Sequence, residues 1–174
     1  MFAAYLLAFC RMVIGMVFAW SLVGKARDMR AFEETITRFQ VLPERWSRLF
    51  AGLVLIVELA VVGAMIAGDG WLMWGFLLGA GILIVFCFAL VAVLVRGLHI
   101  SCHCFGKSKY QISIYEIVRN LGIIFFAICG YSVITLNQGG FLSLHIWGWL
   151  LSGVFSVFFV LAWLQLRELA HLFC

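Results

Sequence analysis

Five stretches of the chain carry almost nothing but apolar residues: 2–24, 49–67, 71–95, 113–136 and 144–166. Each is near the roughly 20 apolar residues that a helix needs to cross the hydrocarbon core of a bilayer. Short polar breaks separate them. Gly68-Asp69-Gly70 is brief enough to make the second and third stretches a tight antiparallel hairpin, and Asn137-Gln138-Gly139-Gly140 marks the loop before the fifth. A membrane barrel would alternate apolar and polar positions over segments of about ten residues, and these stretches do not. Only helices and closed barrels satisfy their backbone groups in lipid, so the pattern predicts an all-α, polytopic transmembrane helical bundle.

One segment follows a different rule. Met29, Phe32, Ile36 and Phe39 recur at helical spacing, with Arg30, Glu33, Glu34, Thr37 and Arg38 on the other face. This predicts an amphipathic helix over 29–42, lying in the interface and ended by Pro43. A helix covering the end of the bundle is the first reading, and a partner-docking site the second.

Composition agrees with this reading. Of 174 residues, 66% are hydrophobic and 11% charged, with a mean hydropathy of +1.13, which leaves too little polar surface for a soluble domain. The net charge of +4 does not point to nucleic acid, because the cations sit beside the apolar stretches, where they meet lipid headgroups. Alternating the loops puts Lys25, Arg27, Arg30, Arg38, Arg45, Arg48, Arg96, Lys107, Lys109, Arg119 and Arg167 on one side and no Lys or Arg on the other. The positive-inside rule then predicts an N-terminus outside and a C-terminus in the cytoplasm. The opening stretch is long enough to span and lacks a basic lead-in or small-residue cleavage site, so it is expected to be a span, not a cleaved leader.

Two ionisable residues interrupt the spans. Arg11 and Glu58 each lie about nine residues from the outer end of their stretch, and antiparallel packing at matched ends would pair them near the midplane, where a lone charge is costly. Either a structural clamp or a proton or substrate site would explain such a pair. Glu116 and Arg119, three apart on one helical face and followed by Asn120, form a polar cluster at the start of the fourth span.

The most chemical segment is His99-Ile100-Ser101-Cys102-His103-Cys104-Phe105-Gly106. Cys10, Cys87 and Cys129 fall inside spans and read as small packing residues. Cys102 and Cys104 lie in a loop near cations and imidazoles, which favours thiolate. In an extended chain, residues two apart are roughly 6.6 Å from each other, near the upper limit for a disulfide. A bridge between them needs a bent backbone, and a bridge closed under strain is readily reduced. The rival chemistry is a soft-metal site for Cu(I) or Zn(II) built from His99, Cys102, His103 and Cys104 with His171 and Cys174. The spacing departs from the usual two-pair zinc pattern, which ranks thiol exchange ahead of metal, with inert cysteines as the third reading.

Cys102-x-Cys104-Phe105-Gly106, followed by Ile112-Ser113 and Arg119-Asn120, resembles the signature of the methylamine-utilisation MauE family, within a broader DoxX-like group of redox-associated membrane proteins. Arg11, Gly15, Gly24-Lys25, Asp28 and Phe32 are similar to that family's opening pattern, and Glu58 to its second-span acid; the likeness covers residues 5–136. It implies a four-helix membrane unit over 1–136, to which 144–174 adds a fifth span and tail. It also implies a place in the bacterial plasma (inner) membrane and a role in maturing a disulfide-rich exported enzyme, such as a methylamine dehydrogenase, alongside a thioredoxin-fold partner.

Together these readings give a membrane protein for thiol–disulfide exchange. Cys102 and Cys104 would be the exchanging pair, His103 or His99 would tune the thiolate, and Arg11, Glu58, Arg119 and Asn120 would organise the helix ends and any proton path. No dedicated cofactor motif stands out, although a quinone or soft metal would suit the chemistry. Sidedness sets the pair toward the cytoplasm while an exported substrate lies outside. Either the pair relays reducing equivalents from within, or it sits inside the bundle and is reached from outside, or the charge rule fails here. A transporter for a metal or small molecule and a non-catalytic assembly subunit are the other two classes.

Overall fold

The computed structural model describes residues 2–39, 44–97, 114–137 and 145–165. It contains six helices and, among the described residues, no strand: α1 Phe2–Arg27, α2 Met29–Arg38, α3 Glu44–Ala67, α4 Asp69–Val95, α5 Ile114–Leu136 and α6 Ile146–Leu164. Five of them, all but α2, are long and apolar enough to cross a membrane. The protein is a multi-pass, all-helical membrane bundle. Large apolar side chains such as Ile56, Ile66, Phe88, Phe125 and Phe158 point outward along its length, as lipid-facing residues do. Exposed Trp71 and Trp147 sit at one end and Trp46 at the other, the levels at which indole rings favour the membrane interface.

α1 is the hub. It packs against α3, α5 and α6, while α4 lies between α3 and α5. The core is built from Val13, Ile14, Val17 and Phe18 of α1, Val61 and Met65 of α3, Phe76 and Leu83 of α4, and Ile123 and Ala127 of α5. α6 joins from outside through an aromatic cluster in which Phe9, Phe126 and Phe159 meet edge to face and Phe159 stacks on Trp163. The Trp163 indole donates to the Arg119 carbonyl at 3.1 Å. Gly122 makes that approach possible, because a Cβ there would fall 2.2 Å from the Trp163 ring.

The hairpin expected at residues 68–70 is present and tighter than its sequence suggests: Gly68 alone separates α3 from α4. Its φ of 74° and ψ of −155° belong to a region that only glycine occupies without strain. The amphipathic helix also forms. Asp28 caps it by accepting from the Ala31 N–H at 3.2 Å, and Phe32 and Ile36 pack on Ala51 and Val54 of α3, while Phe39 reaches Leu90 and Val93 of α4. It therefore covers the end of the bundle where α1 finishes, here called the basic end. α2 stops at Arg38, short of the expected 42, and residues 40–43, with Pro43, lie outside the described residues.

Candidate functional site

The expected pairing of Arg11 with Glu58 does not form. Glu58, 2% exposed, instead meets Lys25, 1% exposed, in a buried ion pair. Ser21 completes the group: its hydroxyl accepts from the Lys25 ammonium at 3.0 Å and donates to the same Glu58 oxygen, Oε1, at 3.0 Å. Phe32 of α2 and Phe86 of α4 present ring faces to the ammonium, with centroids 5.0 and 4.7 Å away. A cation taken out of water is thus compensated by a carboxylate, a hydroxyl and two π-faces.

The correction has a physical cause in register. Matching helix ends sets Arg11 against Glu58, but α1 runs on to Arg27, and the packed helices place Ser21 and Lys25 opposite Glu58 and Gly15 opposite Met65. Fourteen residues, about 21 Å of helix, separate Arg11 from Lys25 along α1. Arg11 goes to the C-terminus of α3, where its Nε donates to the Met65 carbonyl at 2.6 Å and a terminal nitrogen to the Ile66 carbonyl at 3.0 Å. These are carbonyls at the negative end of the helix dipole. The guanidinium also lies over the Trp149 ring of α6, 5.3 Å from its centroid.

Around the ion pair is a small cavity of about 30 Å³ lined by Ser21, Lys25, Glu58, Glu116, Arg119 and Asn120 with Phe39 and aromatic and aliphatic side chains of α1 and α4. The volume suits a water or two, and no larger ligand. Two buried acceptors on its walls, Glu58 Oε2 and Asn120 Oδ1, have no hydrogen-bond donor among the described residues. The Asn120 side chain also interacts with that of Cys87. The polar cluster expected at the start of span four is therefore brought together with Glu58. Lys25 and Ser21 complete the site and were missed. Lys25 reads in sequence as one more cation of the basic loop, though the Ser21–Lys25 interval of four residues, which puts both on one face of α1, is a usable signal.

Cys102, Cys104, His103 and His99 lie outside the described residues, as do His171 and Cys174. The helices that lead into and out of segment 98–113 are described, and both open at the basic end, where α4 closes at Arg96 and Gly97 and α5 begins at Ile114. Of the other cysteines, Cys10 is buried, Cys87 and Cys129 are half-buried, and all three are free thiols. Among the described residues no group of three or more His, Cys, Asp or Glu side chains converges as a metal site would.

The family model described as methylamine utilisation protein MauE matches residues 3–134. The chain belongs to the MauE family. The match runs through α1 to α5 and stops short of α6. The methylamine utilization protein MauE of Paracoccus denitrificans is 29% identical over 113 residues, 64% of this chain and 60% of that protein. The chain thus spans less than two thirds of the length of that relative. No solved structure matches. Within the MauE match lie both halves of the ion pair and the whole polar wall of the cavity.

Proposed function

We propose that this MauE-family protein carries out thiol–disulfide exchange in the plasma membrane and supports the maturation of an exported enzyme of the methylamine dehydrogenase kind. Cys102 and Cys104 are the exchanging pair. The Cys102 or Cys104 thiolate attacks a disulfide of a thioredoxin-fold partner, a mixed disulfide forms as the partner's second sulfur leaves as thiolate and takes up a proton, and the remaining cysteine then resolves the mixed disulfide by closing the Cys102–Cys104 bond. Two electrons pass to the partner, and the pair is left oxidised. His103 or His99 raises the thiolate fraction.

The observation that carries this reading is the buried Lys25–Ser21–Glu58 centre, with Arg119 and Asn120, at the end of the bundle where the helices flanking segment 98–113 begin and end. Buried charged and polar side chains at the end of the bundle from which segment 98–113 leaves and to which it returns support placing the chemistry there. Membership of the MauE family and the likeness to the Paracoccus methylamine utilization protein support the pathway.

Single-cysteine trapping tests it. Cys102→Ser or Cys104→Ser, isolated from cells under acid quench, is expected to carry a mixed-disulfide adduct of a thioredoxin-fold protein, identified by mass. Absence of an adduct from both variants, with full function of the double serine variant, would instead mark the chain as an assembly subunit.

A further inference from the structure

Glu58 is served on one side only. Its Oε1 takes both the Lys25 ammonium and the Ser21 hydroxyl, while Oε2, buried on the same carboxylate, meets no donor among the described residues. Asn120, 4% exposed, is in the same condition at Oδ1. The two side chains line one chamber but come from helices with others between them, since α1 and α4 each pack against both α3 and α5. A buried acceptor without a donor has given up its hydration and gained nothing in exchange. Here two such atoms belong to the walls of a single polar recess.

We infer that the chamber is a binding site for internal water, one molecule or a hydrogen-bonded pair, which donates to Glu58 Oε2 and Asn120 Oδ1 and so joins α3 to α5. The atoms to be satisfied are both acceptors, so the occupant must donate at least twice, as water does. The ionisable side chains on the walls are Lys25, Arg119, Glu58 and Glu116. Two cations and two carboxylates cancel in formal charge, which calls for a neutral occupant. The volume of about 30 Å³ exceeds the roughly 10–15 Å³ that one water needs. Water would then do for α3 and α5 what Ser21 and Lys25 do for α1 and α3, tying a polar atom of one helix to the other.

A hard metal cation is the competing occupant, because carboxylate and amide oxygens are its usual ligands. The walls disfavour it. Such a cation takes about six oxygen ligands or more, and the chamber offers few. The Lys25 ammonium already sits on the same carboxylate, and Arg119 adds a second positive charge to the wall. An anion is disfavoured in turn, because the two acceptor oxygens would face it directly.

X-ray diffraction from crystals of the full chain grown in a lipidic mesophase tests the inference. Density for one or two waters is expected in the chamber, with a water oxygen about 2.8 Å from each of Glu58 Oε2 and Asn120 Oδ1. Asn120→Leu, which replaces one acceptor by an apolar group of similar size, is expected to lose the bridging density. Val17→Ile adds a methylene to the apolar wall and leaves every polar group in place. It is expected to lose the density as well, and it keeps the test decisive should Asn120→Leu fail to fold. Four results would overturn the inference: no density in the wild-type chamber, density unchanged in both variants, a peak with the coordination of a cation, or the Asn120 amide donating directly to Glu58 Oε2.

Discussion

Lys25 and Glu58 show how one residue's identity is decided by its register. Removing one member of a buried ion pair leaves the other uncompensated, at a cost of about 3–5 kcal/mol. Lys25→Met and Glu58→Gln are each expected to lower stability by that order in chemical unfolding from mixed micelles. The double substitution Lys25→Met with Glu58→Met should recover most of the loss, since well-packed apolar residues replace a buried pair at little cost. A double variant no more stable than either single one would show that the ammonium and carboxylate are held by other groups. Gly68 is a second such position. Gly68→Ala forces a side chain into a backbone region reserved for glycine and brings its Cβ to 3.0 Å from the Arg11 guanidinium. The expected loss is about 1–3 kcal/mol, read from the same unfolding curves. That glycine was legible in the sequence as a turn, while its contact with Arg11 was not, because only packing reveals which charge lies beside the turn.

The elements were the most readable part of the chain. Runs of apolar residues set the five spans within a few residues of their ends, and the i, i+3, i+4 pattern found α2 with its buried face of Phe32, Ile36 and Phe39. What periodicity leaves open is how two uniformly apolar helices slide past each other, since one apolar turn resembles the next; the pairing partner of Glu58 depended on that slide. α2 acts as a lid element whose attachment is measurable. Phe32, 1% exposed, both anchors α2 on α3 and offers its ring to the Lys25 ammonium. Phe32→Ala is expected to cost about 3–5 kcal/mol, to speed hydrogen exchange across Met29–Arg38, and to admit a water-soluble amine reagent to Lys25. Unchanged labelling of Lys25 would separate α2 docking from closure of the chamber. By contrast, the Arg48–Glu33 and Arg38–Glu34 contacts, at 3.6 and 3.7 Å with every side chain but half-buried Glu33 exposed, contribute little, and Arg48→Ala should leave the melting curve within about 0.5 kcal/mol of wild type.

At the scale of the whole molecule, sidedness is the property that the charge pattern speaks to most directly. Eleven cations on one side against Arg11 alone at the other lead us to expect a C-terminal reporter fusion active only in the cytoplasm and an N-terminal tag open to external protease. The opposite result would place the cysteine segment outside and bring it directly to exported substrates. The site was legible only in pieces. Glu58, Arg119 and Asn120 stood out as polar groups in apolar surroundings, whereas Ser21 was hidden as a small residue in a span and Lys25 stood out only as a loop cation and a position of the family's opening pattern.

The chain order of the ion pair has a consequence for biogenesis. Lys25 is synthesised thirty-three residues before Glu58, so α1 is already threaded when the acidic helix leaves the ribosome. The carboxylate is therefore expected to meet a waiting counter-charge as it partitions from the translocon, so that the first two spans leave that channel together, with the Lys25–Glu58 pair already formed, instead of one by one.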